Sequence, residues 1–221
     1  MNMLLGLMRR EWRLARAQPT DLLLPLAFYL LVAMLFAFGA RPNDPAVLRF
    51  APAMLWVGAL LALLLSLDRL FQPEFEDGTL EQWCLADAPL ALIVLAKLLS
   101  HWLVQGVPVA LMALPIAGAL GVSVAVWPVL LAGLLMGTLL VVLFGGLATS
   151  LAVGLPRAGA LMPLLVLPLL APVVIFGGGS VRAAIDGADA VAPLYFLGFL
   201  VALALTALPW ACASALRNAF D

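Results

Sequence analysis

Long uncharged runs dominate the pattern of this chain, and short polar stretches separate them. The runs begin at Leu22, Phe50, Leu98, Ala158 and Ala190. A helix of about 20 mostly apolar residues crosses a bilayer. The third run is long enough for two crossings, because it continues to Pro156 and has Gly and Pro turn signals around residues 121–128. We therefore predict six membrane-spanning helices, at about 22–40, 50–67, 98–120, 126–153, 158–179 and 190–216.

The composition fits a polytopic membrane protein of the all-α class. Apolar residues make up 66% of the 221 residues, charged residues only 10%, and the mean hydropathy is +1.17. So few charges cannot cover the surface of a soluble domain of this size. The uninterrupted apolar runs also exclude an outer-membrane barrel, whose strands alternate apolar and polar residues. The net charge of −1 gives no reason to expect nucleic acid as a partner, and we predict a single membrane domain over residues 1–221.

The distribution of basic residues predicts the orientation of the helices. With six crossings, one side of the membrane holds eight basic residues: Arg9, Arg10, Arg13, Arg16, Arg69, Lys97, Arg157 and Arg217. The other side holds Arg41, Arg49 and Arg182. Because cytoplasmic loops carry the excess of Lys and Arg, we predict that both termini are cytoplasmic.

Residues 1–18 have the pattern of an amphipathic helix that lies on the membrane surface. Its basic residues fall on one arc of a helical wheel: Arg9, Arg10, Arg13 and Arg16. Leucines, Met8 and Trp12 fall on the other arc. Such a helix places its arginines toward anionic lipid headgroups, so membrane lipid is a predicted partner of this segment.

The polar stretch at residues 68–97 holds the second group of charges. It contains six acidic residues and only two basic ones, so a protein partner is more plausible here than anionic lipid. Asp77-Gly78 is a turn signal. Thr79 followed by Gln82 has the spacing of a capping box, which predicts a short helix that begins at Thr79.

This short helix has two interpretations. Its apolar face, with Leu80 and Trp83 three residues apart, suits insertion into the groove of a partner protein. It also suits a connector that packs on its own bundle. The candidate docking residues are Glu74, Glu76, Asp77, Gly78, Thr79, Leu80, Glu81, Gln82 and Trp83.

The predicted fifth helix contains Pro163, Pro168 and Pro172, and Gly177-Gly178-Gly179 is expected to end it. Prolines interrupt helical hydrogen bonds, and such helices are tolerated in membranes where the freed groups face protein or a cavity. The helix is therefore a candidate for a mobile or pathway-lining element. A kinked packing helix is the alternative.

Small residues on the predicted fourth helix favour close helix packing. Gly133 and Gly137 form a GxxxG motif there. This motif serves either packing within one chain or an interface between two copies.

The chain shows no catalytic or metal-binding pattern. The six predicted spans contain no acidic or basic residue, and no phosphate-binding loop is present. The single histidine, His101, follows Lys97 by four residues and is either a haem ligand or an interfacial hydrogen-bonding residue. We therefore predict a non-enzymatic subunit that draws energy from another protein.

Several segments resemble a known family of permeases. Glu74 to Glu81 has the form Glu-x-x-x-Gly-Thr-Leu-Glu and resembles the segment after the second helix in ABC-2 type transporter permeases. A closer similarity, to the haem exporter protein B family, is carried by residues 51–52, 56–57, 60–61, 68–71, 77–82, 95–97, 101–102, 106–108, 153–155, 167–168 and 172.

The resemblance implies a function and a set of partners. It implies the permease subunit of the ABC transporter for cytochrome c maturation, in the bacterial inner membrane. Residues 74–83 would then be a coupling helix that docks on a separate ATP-hydrolysing subunit. It further implies a second copy of the chain, a haem-handling membrane protein and a periplasmic haem chaperone as partners. Haem would be a substrate of the pathway and not a bound cofactor, and ATP would bind the partner subunit. A passive membrane scaffold or channel that needs no nucleotide is the alternative.

Overall fold

The computed structural model describes residues 6, 10, 13, 19–39, 45–67, 70–86, 88–154 and 158–219, and every regular element within these residues is helical. In chain order the helices are α1 (Pro19–Gly39), α2 (Pro45–Leu67), α3 (Gln72–Glu76), α4 (Thr79–Leu85), α5 (Leu90–His101), α6 (Val107–Ala119), α7 (Trp127–Ala152), α8 (Ala158–Ile185) and α9 (Val191–Asn218). A π-helical turn at Trp102–Gly106 joins α5 to α6, and a 3₁₀ turn at Val124–Val126 precedes α7.

The prediction of an all-α polytopic membrane protein is confirmed. Within the described residues, five helical stretches are long and apolar enough to cross a membrane: one that includes α2, and Leu90–Ala119, Val124–Ala152, Leu165–Ile185 and Val191–Asn218. A shorter apolar helix covers Leu23–Gly39. The predicted amphipathic helix at residues 1–18 lies outside the described residues, apart from three isolated positions.

Helix α7 forms the centre of the bundle. It contacts α2, α5, α6, α8 and α9, and its small residues let neighbouring side chains approach the backbone. Leu67 at the end of α2 lies against Gly145, and Leu98 of α5 lies against Gly146. Close packing over small residues is how membrane helices associate when lipid provides no hydrophobic drive.

The GxxxG motif of α7 packs within the chain. Trp56 of α2 is buried, and its ring lies against Gly133, Gly137 and Gly177. An added Cβ at Gly137 or Gly177 would overlap the ring. The sequence allows this motif to pack within one chain or between two copies. The structure shows packing within the chain for these glycines.

The glycine cluster of the fifth span does not end its helix, contrary to the expectation from sequence. Helix α8 continues through Gly177-Gly178-Gly179 to Ile185. Gly177 serves a different purpose, because it provides the flat backbone against which Trp56 packs. The three prolines also lie within this continuous helix, so they interrupt individual hydrogen bonds without dividing it.

The third span begins earlier than the sequence suggests. Helix α5 begins at Leu90, directly after Pro89, so residues 90–97 are helical and do not belong to the polar loop. These residues are apolar except for Lys97, and the charge of Lys97 is paired inside the protein with Glu74. The polar connection between α2 and α5 is accordingly shorter than residues 68–97.

Candidate docking site

A compact element of two short helices connects α2 to α5. It comprises α3, a turn at Asp77-Gly78, and α4; we call residues 72–85 the α3–α4 element. Gly78 has φ of 75°, a left-handed conformation that glycine adopts without the strain of a Cβ. The turn predicted at Asp77-Gly78 and the helix predicted from Thr79 are both confirmed.

The capping box predicted at Thr79 and Gln82 is wrong. Gly78 occupies the N-cap position of α4, so Thr79 is already the first helical residue. Asp77 takes over the capping role, because its Oδ1 accepts a hydrogen bond of 2.9 Å from the backbone N–H of Thr79. Hydrogen bonds from Thr79, together with the attraction of Arg10, hold the pKa of the Asp77 carboxyl below its ordinary value.

The apolar face of α4 points into the chain's own bundle. Leu80 is fully buried, Trp83 is only 7% exposed, and both belong to the hydrophobic core. The expectation that these two side chains anchor a partner is therefore corrected. Cys84, on the same side of α4, is half-buried, and this burial raises the pKa of its thiol.

The outward face of the α3–α4 element is polar with one apolar tip. Its exposed residues are Pro73, Glu76, Asp77, Glu81, Gln82 and Leu85. Leu85 is 85% exposed, the highest value among the exposed large apolar side chains that the structure describes. An exposed leucine on an element that also exposes several acidic side chains suits contact with a partner surface that is apolar and basic.

Glu74 does not belong to this outward face. Its side chain is buried, and its Oε1 lies 2.6 Å from the Nζ atom of Lys97 in α5. Arg10 approaches the same oxygen at 3.8 Å and the Oδ2 atom of Asp77 at 3.9 Å. The sequence analysis did not predict this pairing. The available signal was Lys97, which is the single lysine of the chain and lies at the edge of an apolar run.

The remaining predicted basic residues are only partly described. Arg13 is exposed, and Arg9 and Arg16 lie outside the described residues. Arg10 faces acidic side chains of the α3–α4 element, so at this position the segment contacts protein.

The α3–α4 element also contacts the turn after α7. Gly154 has φ of 78°, and a Cβ built there would lie 3.2 Å from the ring of Phe75 in α3. The element is thus held to α5 through Glu74 and packed against the α7–α8 turn through Phe75.

His101 forms a hydrogen bond within the helix bundle. Its Nε2 atom lies 3.1 Å from the Oγ atom of Ser66 in α2. The Ser66 hydroxyl donates its hydrogen to the carbonyl of Leu63, so we assign the imidazole hydrogen to Nε2, as the donor to Ser66. Among the described residues, no group of three or more potential ligands is placed to hold a metal ion.

The π-helical turn begins directly after His101. Trp102 donates from Nε1 to the Oγ1 atom of Thr138 in α7, at 3.0 Å, and Gln105 is buried in the same turn. Short π-helical turns inside α-helices occur frequently at functional sites.

One small cavity lies beside the described part of the proline-rich helix. The cavity between α2, α7 and α8 is lined by Trp56, Leu134 and Val173 among others and has a volume of about 10 Å³, near the size of one water molecule. The mobile role of Pro163, Pro168 and Pro172 stays a prediction.

The fold and the site define a class: a multi-pass α-helical membrane protein with a structured polar element at one end of the bundle. The chain belongs to the CcmB protein family, whose model matches residues 2–219. Heme exporter protein B of Pseudomonas aeruginosa is 44% identical over 211 residues, covering 96% of this chain and 95% of that protein. The proteins of the same name from Paracoccus denitrificans and Haemophilus influenzae are 44% and 39% identical, covering 97% and 98% of their own lengths. The resemblance inferred from the sequence motifs is confirmed.

Proposed function

We propose that this chain is the membrane permease subunit of an ABC transporter in the cytochrome c maturation pathway. Its membership of the CcmB family, and relatives that carry the name heme exporter protein B, support a role in haem export. The proposal places the chain in the bacterial inner membrane with both termini in the cytoplasm. The excess of basic residues on that side supports the orientation.

The α3–α4 element is the proposed docking site for a separate ATP-hydrolysing subunit. The carrying observation is its outward face, which exposes Leu85, with Glu81 one helical turn before it, and the acidic side chains of Glu76 and Asp77. The inward burial of Leu80 and Trp83 gives this face a rigid support. Hydrolysis on the partner would then move the element, and the element would move the spanning helices.

Haem enters this proposal as a substrate of the pathway. The chain has one histidine, and that residue is hydrogen-bonded to Ser66. This supports a subunit that transmits the energy of ATP hydrolysis and does not itself store haem. We propose that the conformational change acts on a haem-handling membrane protein and releases a loaded periplasmic haem chaperone. A second copy of the permease would complete the transporter.

Changes to the outward face test the docking assignment. The double variant Glu81→Ala/Leu85→Ala removes an acidic and an apolar contact without touching the core. We expect the ATP-hydrolysing subunit to co-purify at least about tenfold less, as for the loss of an interface anchor. The matched control is Val124→Ala, an exposed apolar residue in the turn before α7. Unchanged co-purification of the double variant would count against docking at this face.

A hydrolysis-dead partner separates the permease from the passive scaffold. If the subunit couples ATP hydrolysis to movement, cells with such a partner should fail to mature c-type cytochromes, although the complex still assembles. Normal maturation would favour the scaffold or channel.

A further inference from the structure

A buried ion pair joins the α3–α4 element to a membrane-spanning helix. Glu74 is 2% exposed and Lys97 is 5% exposed, and their charged atoms are 2.6 Å apart. Glu74 lies in α3, whereas Lys97 lies two turns into α5. The pair is therefore a direct charged contact between the proposed docking element and the helix that continues across the membrane.

Stability alone is a weak reason for such a pair. Two charges lose their hydration when they are buried, and a well-packed apolar pair is often as stable or more stable. Further charged residues also lie beside this ion pair. Arg10 lies near both Glu74 and Asp77, so four charged residues from three segments form a cluster with no net charge. Such an arrangement specifies one position of α3 relative to α5.

The short length of α3 makes this link stiff. Helix α3 has five residues, Gln72 to Glu76, and both the exposed Glu76 and the buried Glu74 lie on it. Gln72 donates a 2.9 Å hydrogen bond to Glu76, which braces the exposed side. A force on the exposed Glu76 thus acts within one helical turn of the contact between Glu74 and Lys97.

Helix α5 leads from this contact to the π-helical turn. The turn begins at Trp102, soon after Lys97 in the chain, and Trp102 is hydrogen-bonded to Thr138 of the central helix α7. A π-helical turn has a less regular hydrogen-bond pattern than the α-helix around it. Displacement of α5 at Lys97 would therefore reach α7 through Trp102 and Thr138.

We propose that Glu74 and Lys97 are positioning residues that transmit the movement of the docked ATP-hydrolysing subunit to α5, an inference that rests on the proposed function. The pair keeps the docking element and the spanning helix moving as one body. Loss of the pair would leave docking intact and separate it from the membrane movement.

The test compares variants of the ion pair with a control variant, in cells that express the complete transporter. Glu74→Gln and Lys97→Met each remove one charge, and Glu74→Gln/Lys97→Met removes both and so leaves no unpaired buried charge. The double variant should therefore accumulate in the membrane even if a single variant does not. Asp186→Asn, at an exposed acidic residue between α8 and α9 and outside the docking element, is the control.

Two readouts distinguish transmission from a structural role. We expect the double variant to retain the co-purified ATP-hydrolysing subunit while maturation of c-type cytochromes falls about tenfold, within the range of typical coupling between sites. Lys97→Arg keeps the charge and should retain most of the activity, and Asp186→Asn should resemble the wild type.

The contrary results are equally clear. Wild-type maturation in the double variant would overturn the proposal, because the pair would then be dispensable for coupling. Loss of co-purification together with maturation would also overturn it, because the pair would then only shape the docking surface. If the unaltered permease fails to retain the ATP-hydrolysing subunit, the proposed function fails instead.

Discussion

The indole ring of Trp56 in α2 lies against the backbone of Gly177 in α8, where any side chain would overlap the ring. Gly177→Ala should therefore force the two helices apart, at a loss of about 1–3 kcal/mol in stability, typical of overpacking. The apparent Tm of the purified protein in detergent measures this loss. Gly179→Ala is the control, because nothing lies within 4 Å of a Cβ at that position.

The Trp56–Gly177 contact also predicts a specific coupling. In a Trp56→Leu background the smaller side chain leaves space, so the effect of Gly177→Ala should shrink. An equal loss of stability from Gly177→Ala in both backgrounds would contradict a role for this contact. An equally large loss from Gly179→Ala would contradict it as well.

The turn at Gly78 predicts a conformational effect without a steric one. Gly78 has φ of 75°, and nothing lies within 4 Å of a Cβ built there. Gly78→Ala should destabilise the α3–α4 element by about 1–2 kcal/mol, because a Cβ disfavours the left-handed conformation. Hydrogen exchange of the α4 amides measures this effect. Gly78→Asn should be milder, since Asn tolerates that conformation better, and equal exchange in all three proteins would refute the assignment.

The cap at Asp77 predicts a dependence of α4 stability on pH. Its pKa is lowered in the folded state, chiefly by hydrogen bonds from Thr79, from an ordinary value of 3.8. The ionised carboxylate therefore stabilises the cap fully above that value, and this contribution is lost as pH falls through the lower folded pKa. Hydrogen exchange of α4 in the wild type and Asp77→Asn should differ at neutral pH and converge at strongly acidic pH. A difference that is independent of pH would show that the charge has no part in the cap.

The hydrogen bond between His101 and Ser66 predicts a packing role for the histidine. His101→Ala and Ser66→Ala should each lower the free energy of unfolding by about 0.5–1.5 kcal/mol. The double variant should lose less than the sum, because both substitutions remove the same hydrogen bond. Haem absorbance of the purified subunit should be the same with and without His101. A haem band that disappears only in His101→Ala would establish the ligand role instead.

Much of this fold follows from the sequence because the membrane imposes a local rule. Each spanning helix satisfies its own backbone hydrogen bonds within one apolar run, so the runs from Phe50, Ala158 and Ala190 predict helices without knowledge of their neighbours. The helix from Thr79 is also local, since the turn signal at Asp77-Gly78 precedes it directly.

The features that escaped prediction depend on residues far apart in the chain. The spacing of Leu80 and Trp83 defines an apolar face but does not state whether a partner or the chain's own bundle covers it. The pair of Glu74 and Lys97 joins residues 23 positions apart. Glycine is common at helix ends, so the sequence suggests an end at Gly177. Only the contact with Trp56 explains why a glycine lies within the helix there.

Site-specific cross-linking is the most direct test of docking at the α3–α4 element. A photoreactive amino acid replaces Leu85, whose side chain is 85% exposed, or Val124 as the control, which is 68% exposed. Cells that express the complete transporter are then irradiated. We predict a cross-linked adduct with the ATP-hydrolysing subunit from position 85 and none from position 124. No adduct from position 85, in a complex that still contains the ATP-hydrolysing subunit, would contradict the account.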